Sequence, residues 1–144
     1  MVMNLAQHLF LKSHHLYFDN FFSSVALMKT LIQNNTYACA TVRTNTAGLP
    51  VEMKRHRKLK RGQHLVLQKN NILASMWHDN RDGSFISTNT LSGESSVQRW
   101  DNRACARVQM PCPSVVELYN DHLGGVNMAD QMRRCYRTLN KSFK

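Results

Sequence analysis

The chain has 144 residues, and its 19 Lys and Arg outnumber its 9 Asp and Glu to give a formal charge of +10 at pH 7. A hydrophobic share of 42% is enough to bury one core, which excludes a disordered or collagen-like chain by composition. Lys12, His14, His15, Asp19 and Asn20 break up the most apolar stretch, well short of the roughly 20 apolar residues that a bilayer requires, so no membrane partner is expected.

Met1 to Leu11 lacks the basic start and small-residue cleavage site of a signal peptide, which points to an intracellular protein. Cys39, Cys105, Cys112 and Cys135 show no CxxC spacing, and in a reducing compartment an even count does not imply disulfides. Free thiols are expected. A zinc site built from these cysteines and the seven scattered histidines lacks paired-ligand spacing.

Taken in chain order, Leu5 and Leu9 with Val2 and Phe10 predict a short helix over Val2 to Lys12. His14 to Phe18 reads as a buried strand ending at Asp19. Ser23 or Ser24 is placed to cap a helix whose apolar face is Val25, Met28, Leu31 and Ile32, ending at Asn34-Asn35. Tyr37 to Thr44 reads as a second strand closed by Gly48-Leu49-Pro50, which completes a β-α-β succession.

The middle has a different pattern. Gln63 to Lys69, Ile72 to Trp77 and Ser84 to Asn89 predict an antiparallel meander, with turns at Asn70-Asn71 and Asp82-Gly83. Pro111 and Pro113 mark a boundary, and Ser114 with Glu117 forms a capping box ahead of Val115, Val116, Leu118 and Tyr119. Gly124-Gly125 is expected to stop this helix, and Asn127 to cap a last one carrying Met128, Met132, Cys135 and Leu139.

Charge is concentrated in two places. Lys54, Arg55, Arg57, Lys58, Lys60 and Arg61 form a basic block, while Arg133, Arg134, Arg137, Lys141 and Lys144 cluster in the tail. The block is the candidate nucleic-acid-binding segment, against the plainer reading of a solvated loop; His56 is its only ring, so stacking partners are sparse. Trp77 and Trp100 read as core anchors, with Arg99 and Arg103 beside the second as candidates for a phosphate contact or for solubility alone. His14 and His15 are assigned to packing.

Four separated segments together resemble the piggyBac family of DNA transposases and the cellular proteins derived from it. They are Leu16 to Ser24 (LYFDNFFSS), Tyr37 to Pro50 with its Gly48-Leu49-Pro50, Trp77 to Asp82 (WHDNRD) followed by Ser87-Thr88, and Gly124 to Met132 (GGVNMADQM). The resemblance covers nearly the whole chain. It implies an α/β fold: a partial RNase H-like catalytic core, its opening strands missing, interrupted by a mainly β insertion domain. The expected divisions are residues 1–53 for the first part of the core, 54–110 for the insertion with its basic entry loop, and 111–144 for the C-terminal helices.

The family's chemistry, on this resemblance, uses three aspartates and two Mg²⁺ ions to cut and join DNA strands. Two such ions activate an attacking oxygen and stabilise a leaving one, but only where carboxylates neutralise and bridge them. Asp19 matches the second aspartate. Asn127 stands where the third would be, and Asp130 matches a further acidic position; an amide in the third slot keeps an oxygen but loses the charge that holds a divalent ion. The first aspartate and the family's zinc module correspond to positions outside this sequence. Metal at Asp19 and Asp130 is accordingly expected to be weak, with no cofactor retained.

These readings predict a piggyBac-derived domain without nuclease or transposase activity, nuclear in location, that retains non-specific DNA binding through the basic loop and is open to self-association. A domesticated DNA- or chromatin-binding or protein-interaction module, and a non-functional transposon remnant, are the alternatives.

Overall fold

Small side chains let one strand be covered on both faces. In the computed structural model, which describes residues 2–54 and 59–135, with backbone alone for 125–135, the strand Tyr37–Thr41 has Ala38, Cys39 and Ala40 wholly buried. Three consecutive buried residues require cover on both faces, because neighbouring side chains in a strand point in opposite directions. Ala38 and Ala40 face one apolar cluster and Cys39 faces another.

The elements in order are helix α1 (Val2–Ala6) with a 3₁₀ turn (Gln7–Leu9), strand β1 (His15–Phe18), helix α2 (Val25–Gln33), β2 (Tyr37–Thr41), the single turn α3 (Val51–Lys54), β3 (His64–Lys69), β4 (Ile72–His78), β5 (Asp82–Ser87), β6 (Glu94–Asp101), β7 (Ala106–Pro113) and α4 (Ser114–Cys135). The opening helix is therefore shorter than the pattern over Val2 to Lys12 predicts. Leu11 and Ser13, with φ of 60° and 53°, lead the chain out of it.

The β-α-β succession is present. β1 and β2 run parallel, with His15 opposite Tyr37 and Phe18 opposite Ala40, and α2 makes the crossover. Of the two serines placed to cap α2 it is Ser24 that does so, its hydroxyl accepting from Leu27 N at 3.1 Å. Asn35 at φ 48° ends the helix, and Thr36 N reaches back to Leu31 O at 2.9 Å. Gly48, at φ 85°, lies so close to Val25 that a Cβ there would sit 3.1 Å from that residue's Cβ.

The predicted meander is β3-β4-β5, but it extends the first sheet and does not stand apart from it. Strand order is β1-β2-β5-β4-β3, with Cys39, Ala40 and Thr41 of β2 opposite Ser87, Ile86 and Phe85 of β5. The division expected at residue 54 is thus no division of the sheet, since backbone pairing continues across it. α2 covers one face through Met28 and Leu31 against Ala38, Ala40, Ala74, Met76 and Ile86. On the other face Leu73, Trp77 and Phe85 meet Val115, Val116 and Tyr119 of α4 and Met110 and Cys112 of β7.

Three expectations are corrected. Pro111 and Pro113 do not interrupt the chain between elements; they lie inside β7, which pairs with β6 in a separate two-stranded sheet. Set two apart, both can turn the side without an N–H away from β6. Ser114 and Glu117 do not form a reciprocal box, because the Ser114 hydroxyl bonds Gly93 O at 3.2 Å and Glu117 accepts from Ser95. Gly124-Gly125 does not stop the helix, and no new helix begins at Asn127, because α4 runs unbroken from Ser114 to Cys135. Glycine in a helix costs about 1 kcal/mol each, which weakens such a helix without ending it.

A candidate nucleic-acid interface and a lone carboxylate

Asp19 follows β1 directly. Its Oδ1 accepts from the Thr41 hydroxyl at 2.6 Å and from Asn20 N at 2.7 Å, while its carbonyl accepts from Phe22 N at 3.1 Å. Thr41 is the last residue of β2, so the parallel pairing of β1 and β2 brings these two strand ends together. The Tyr119 hydroxyl lies 3.4 Å from Thr41 Oγ1. Since the Thr41 proton points to the carboxylate, the tyrosine is the donor, and the relay runs Tyr119 to Thr41 to Asp19. Burial raises the Tyr119 phenol above its ordinary value, with the Asp19 charge adding to the effect.

α4 is held against β1 beside this point, where Tyr17 and His122 stack with ring centroids 4.2 Å apart and planes 4° from parallel. Asn89 Nδ2 bridges the Tyr17 hydroxyl at 3.3 Å and His15 Nδ1 at 2.9 Å. His15 is thus an exposed hydrogen-bond partner and not the packed side chain read from the sequence. Asn127 and Asp130 fall on the later backbone of α4, and their side chains lie outside the described residues.

Two divalent ions need several hard anionic oxygens. Among the described residues, no three His, Cys, Asp or Glu side chains gather closely enough to hold a metal ion. Asp19 is one carboxylate with one oxygen already committed to two donors, so the donor set described does not fit a two-metal centre.

The basic segment divides. Arg55, Arg57 and Lys58 lie outside the described residues; Lys54 and Lys60 are exposed. Arg61 is an internal anchor: Nε meets Asp79 Oδ1 at 3.0 Å, a second nitrogen is 3.6 Å from Asp101 Oδ2, and a third reaches the Trp100 carbonyl at 3.4 Å. Arg99 completes the group, 3.2 Å from Asp79 Oδ2 and 5.7 Å from the centroid of the Trp77 ring. Trp77 is core, as expected, its Nε1 donating to Pro111 O at 2.9 Å. Trp100 is not: it is 57% exposed. Its place after Val97 could not show this, because inward and outward residues alternate along β6 and Val97, Arg99 and Asp101 take the inward set.

Comparison with known proteins agrees with this architecture. A family model described as Transposase IS4 matches residues 1–143. PiggyBac transposable element-derived protein 2 of Homo sapiens is 32% identical over 137 residues, covering 91% of this chain and 23% of that protein. PiggyBac transposable element-derived protein 3 of Homo sapiens is 30% identical over 129 residues, covering 86% and 22%. A piggyBac transposase solved by cryo-EM as a synaptic complex with hairpin DNA superposes with a TM-score of 0.67 at 21% identity, covering 91% of this chain and 26% of that one.

The chain belongs to the piggyBac transposase family. It spans about a quarter of the length of the relatives it matches. No helix among the described residues is long and apolar enough to cross a membrane.

Proposed function

We propose that this chain is a transposase-derived domain that holds DNA by its cationic surface and does not cut it. Asp19 carries the second half of that reading: it is the one carboxylate matching the family's triad here, the third position is Asn127, and Asp19 Oδ1 is occupied by Thr41 and Asn20. The parallel β1-α2-β2 unit with an aspartate at the end of β1 supports an RNase H-like ancestry. The net charge of +10 and the fold shared with a transposase described in a DNA complex support the first half.

Cationic binding of this kind is sequence-independent, and its salt slope is about −0.9 for each phosphate neutralised. With Arg61 engaged internally, Lys54, Arg55, Arg57, Lys58 and Lys60 are the contacts, for a slope of about −4.5. The test uses the full chain with a labelled duplex at two salt concentrations, with and without Mg²⁺ or Mn²⁺. The expected result is salt-sensitive binding that weakens when Lys54, Arg55, Arg57 and Lys58 become Gln, with no nicking. Metal-dependent nicking abolished by Asp19→Ala would overturn the inactive reading, and salt-independent binding or none would overturn the DNA reading.

A further inference from the structure

The β6–β7 hairpin presents an outer face that the core does not use. Four inward residues of β6 fix its register: Ser95 donates to Glu117, Val97 packs on the α4 side of the sheet, Arg99 meets Asp79, and Asp101 meets Arg61. A slip of one residue would turn every side chain over. Trp100 is therefore held outward, 57% exposed and directly opposite Arg107 of β7, with Gln98 opposite Gln109 next along the same face.

The hairpin tip adds charge on a hydrogen-bonded turn. Asp101 Oδ1 accepts from Arg103 N at 2.8 Å, which holds the carboxyl below its ordinary range, with Ala104 N and the nearby Arg61 helping. Cys105 at φ 47° closes the turn. Asp101 thus keeps its charge, which Arg61 and Arg103 both oppose, whereas Arg107 is exposed beside Trp100; neither Arg103 nor Arg107 makes an ion pair among the described residues. Arg61 ties the end of the basic segment to this hairpin at the Trp100 carbonyl and at Asp101.

An aromatic ring on a paired strand, flanked by exposed guanidinium groups and neutral amides, is the chemistry that holds single-stranded nucleic acid: the ring stacks on a base of any identity and the cations take the phosphates. We propose that this hairpin face is a stacking site for unpaired nucleotides, with Trp100 as the platform and Arg103 and Arg107 as the phosphate contacts. The inference rests on the DNA-binding reading above and adds a preference for exposed bases.

The test compares a labelled thymidine 20-mer with a duplex of equal length, using the full chain. Trp100→Ala is expected to weaken the single strand about tenfold and leave the duplex within about twofold, while Trp100→Phe keeps most of the affinity. Arg103→Gln with Arg107→Gln lowers the salt slope by about 1–2. Trp77 stays buried in both Trp100 variants, so its emission reports whether the fold survives. Unchanged single-strand affinity in a folded Trp100→Ala protein, or equal losses for strand and duplex, would overturn this site while leaving the cationic reading intact. Absence of binding to either nucleic acid would overturn both, and a change in self-association alone would assign the ring to a protein contact instead.

Discussion

Arg61 Nε donates to Asp79 Oδ1 at 3.0 Å, so the last cation of the basic segment is held by the β4–β5 turn. Asp79 also receives Arg99, which rests over Trp77, so one carboxylate joins the basic segment, the main sheet and the hairpin. Arg61 and Lys60 are neighbours in sequence with different work. Arg61→Gln is expected to lower unfolding free energy by about 1 kcal/mol with little effect on DNA, and Lys60→Gln to do the reverse. Asp79→Asn leaves two guanidinium groups facing each other and should cost more, about 2 kcal/mol. Urea denaturation and duplex titration of the three variants check this.

Thr41 and Asp19 tie two strand ends together through a charge-assisted hydrogen bond. Thr41→Val keeps the shape and removes the donor, for an expected loss of about 1 kcal/mol. Equilibrium unfolding measures it, and an unchanged midpoint would show that water replaces the hydroxyl at no cost.

A ligand that binds only the folded state raises its stability with concentration. Since Asp19 stands without acidic neighbours able to complete a site among the described residues, millimolar Mg²⁺ or Mn²⁺ should leave the melting temperature where it is. A rise removed by Asp19→Asn would reveal a metal site that includes it.

Burial pushes the Cys39 thiol up to about 12 and the Cys112 thiol up to about 11, from an ordinary 9.0. The folded state therefore holds both protons where the unfolded chain releases them. The stability this contributes is complete below about pH 9 and is lost as pH rises from there towards the folded values. Burial of the Tyr17 and Tyr119 phenols acts in the same direction at higher pH. Denaturation midpoints should fall steadily above pH 9, less steeply in the Cys39→Ala, Cys112→Ala double variant. At pH 8 a disulfide reagent should modify exposed Cys105 quickly and reach Cys39 and Cys112 only on unfolding.

Gly124 lies within α4, and a Cβ built on it meets nothing within 4 Å. Gly124→Ala should then stabilise the protein by about 1 kcal/mol and raise its helical circular dichroism. A loss of stability would mean that the helix does break there.

Much of this was legible in the sequence because it is local. Short apolar, β-branched and aromatic runs bounded by turn residues marked β1 to β5, the serines before Val25 marked the start of α2, and four ordered motifs marked the family, each within a short window of chain. Where local signals failed, a partner distant in sequence decided the outcome. Gly124-Gly125 reads as a stop by propensity, yet α4 continues, anchored on its earlier turns by Val115, Val116 and Tyr119 in the core. Arg61 counts as one more cation in a basic run until Asp79 and Asp101 fold against it. Trp100 reads as core because tryptophan usually is, but the inward contacts of its neighbours in β6 set its direction. The amino-acid pattern alone marked β1 to β5, α2 and the start of α4 and the family they came from, but not the β6–β7 hairpin or the full run of α4. Tertiary structure decided which charges remain free and which ring meets solvent, because pairing and burial depend on residues that come together only when the sheet and hairpin close.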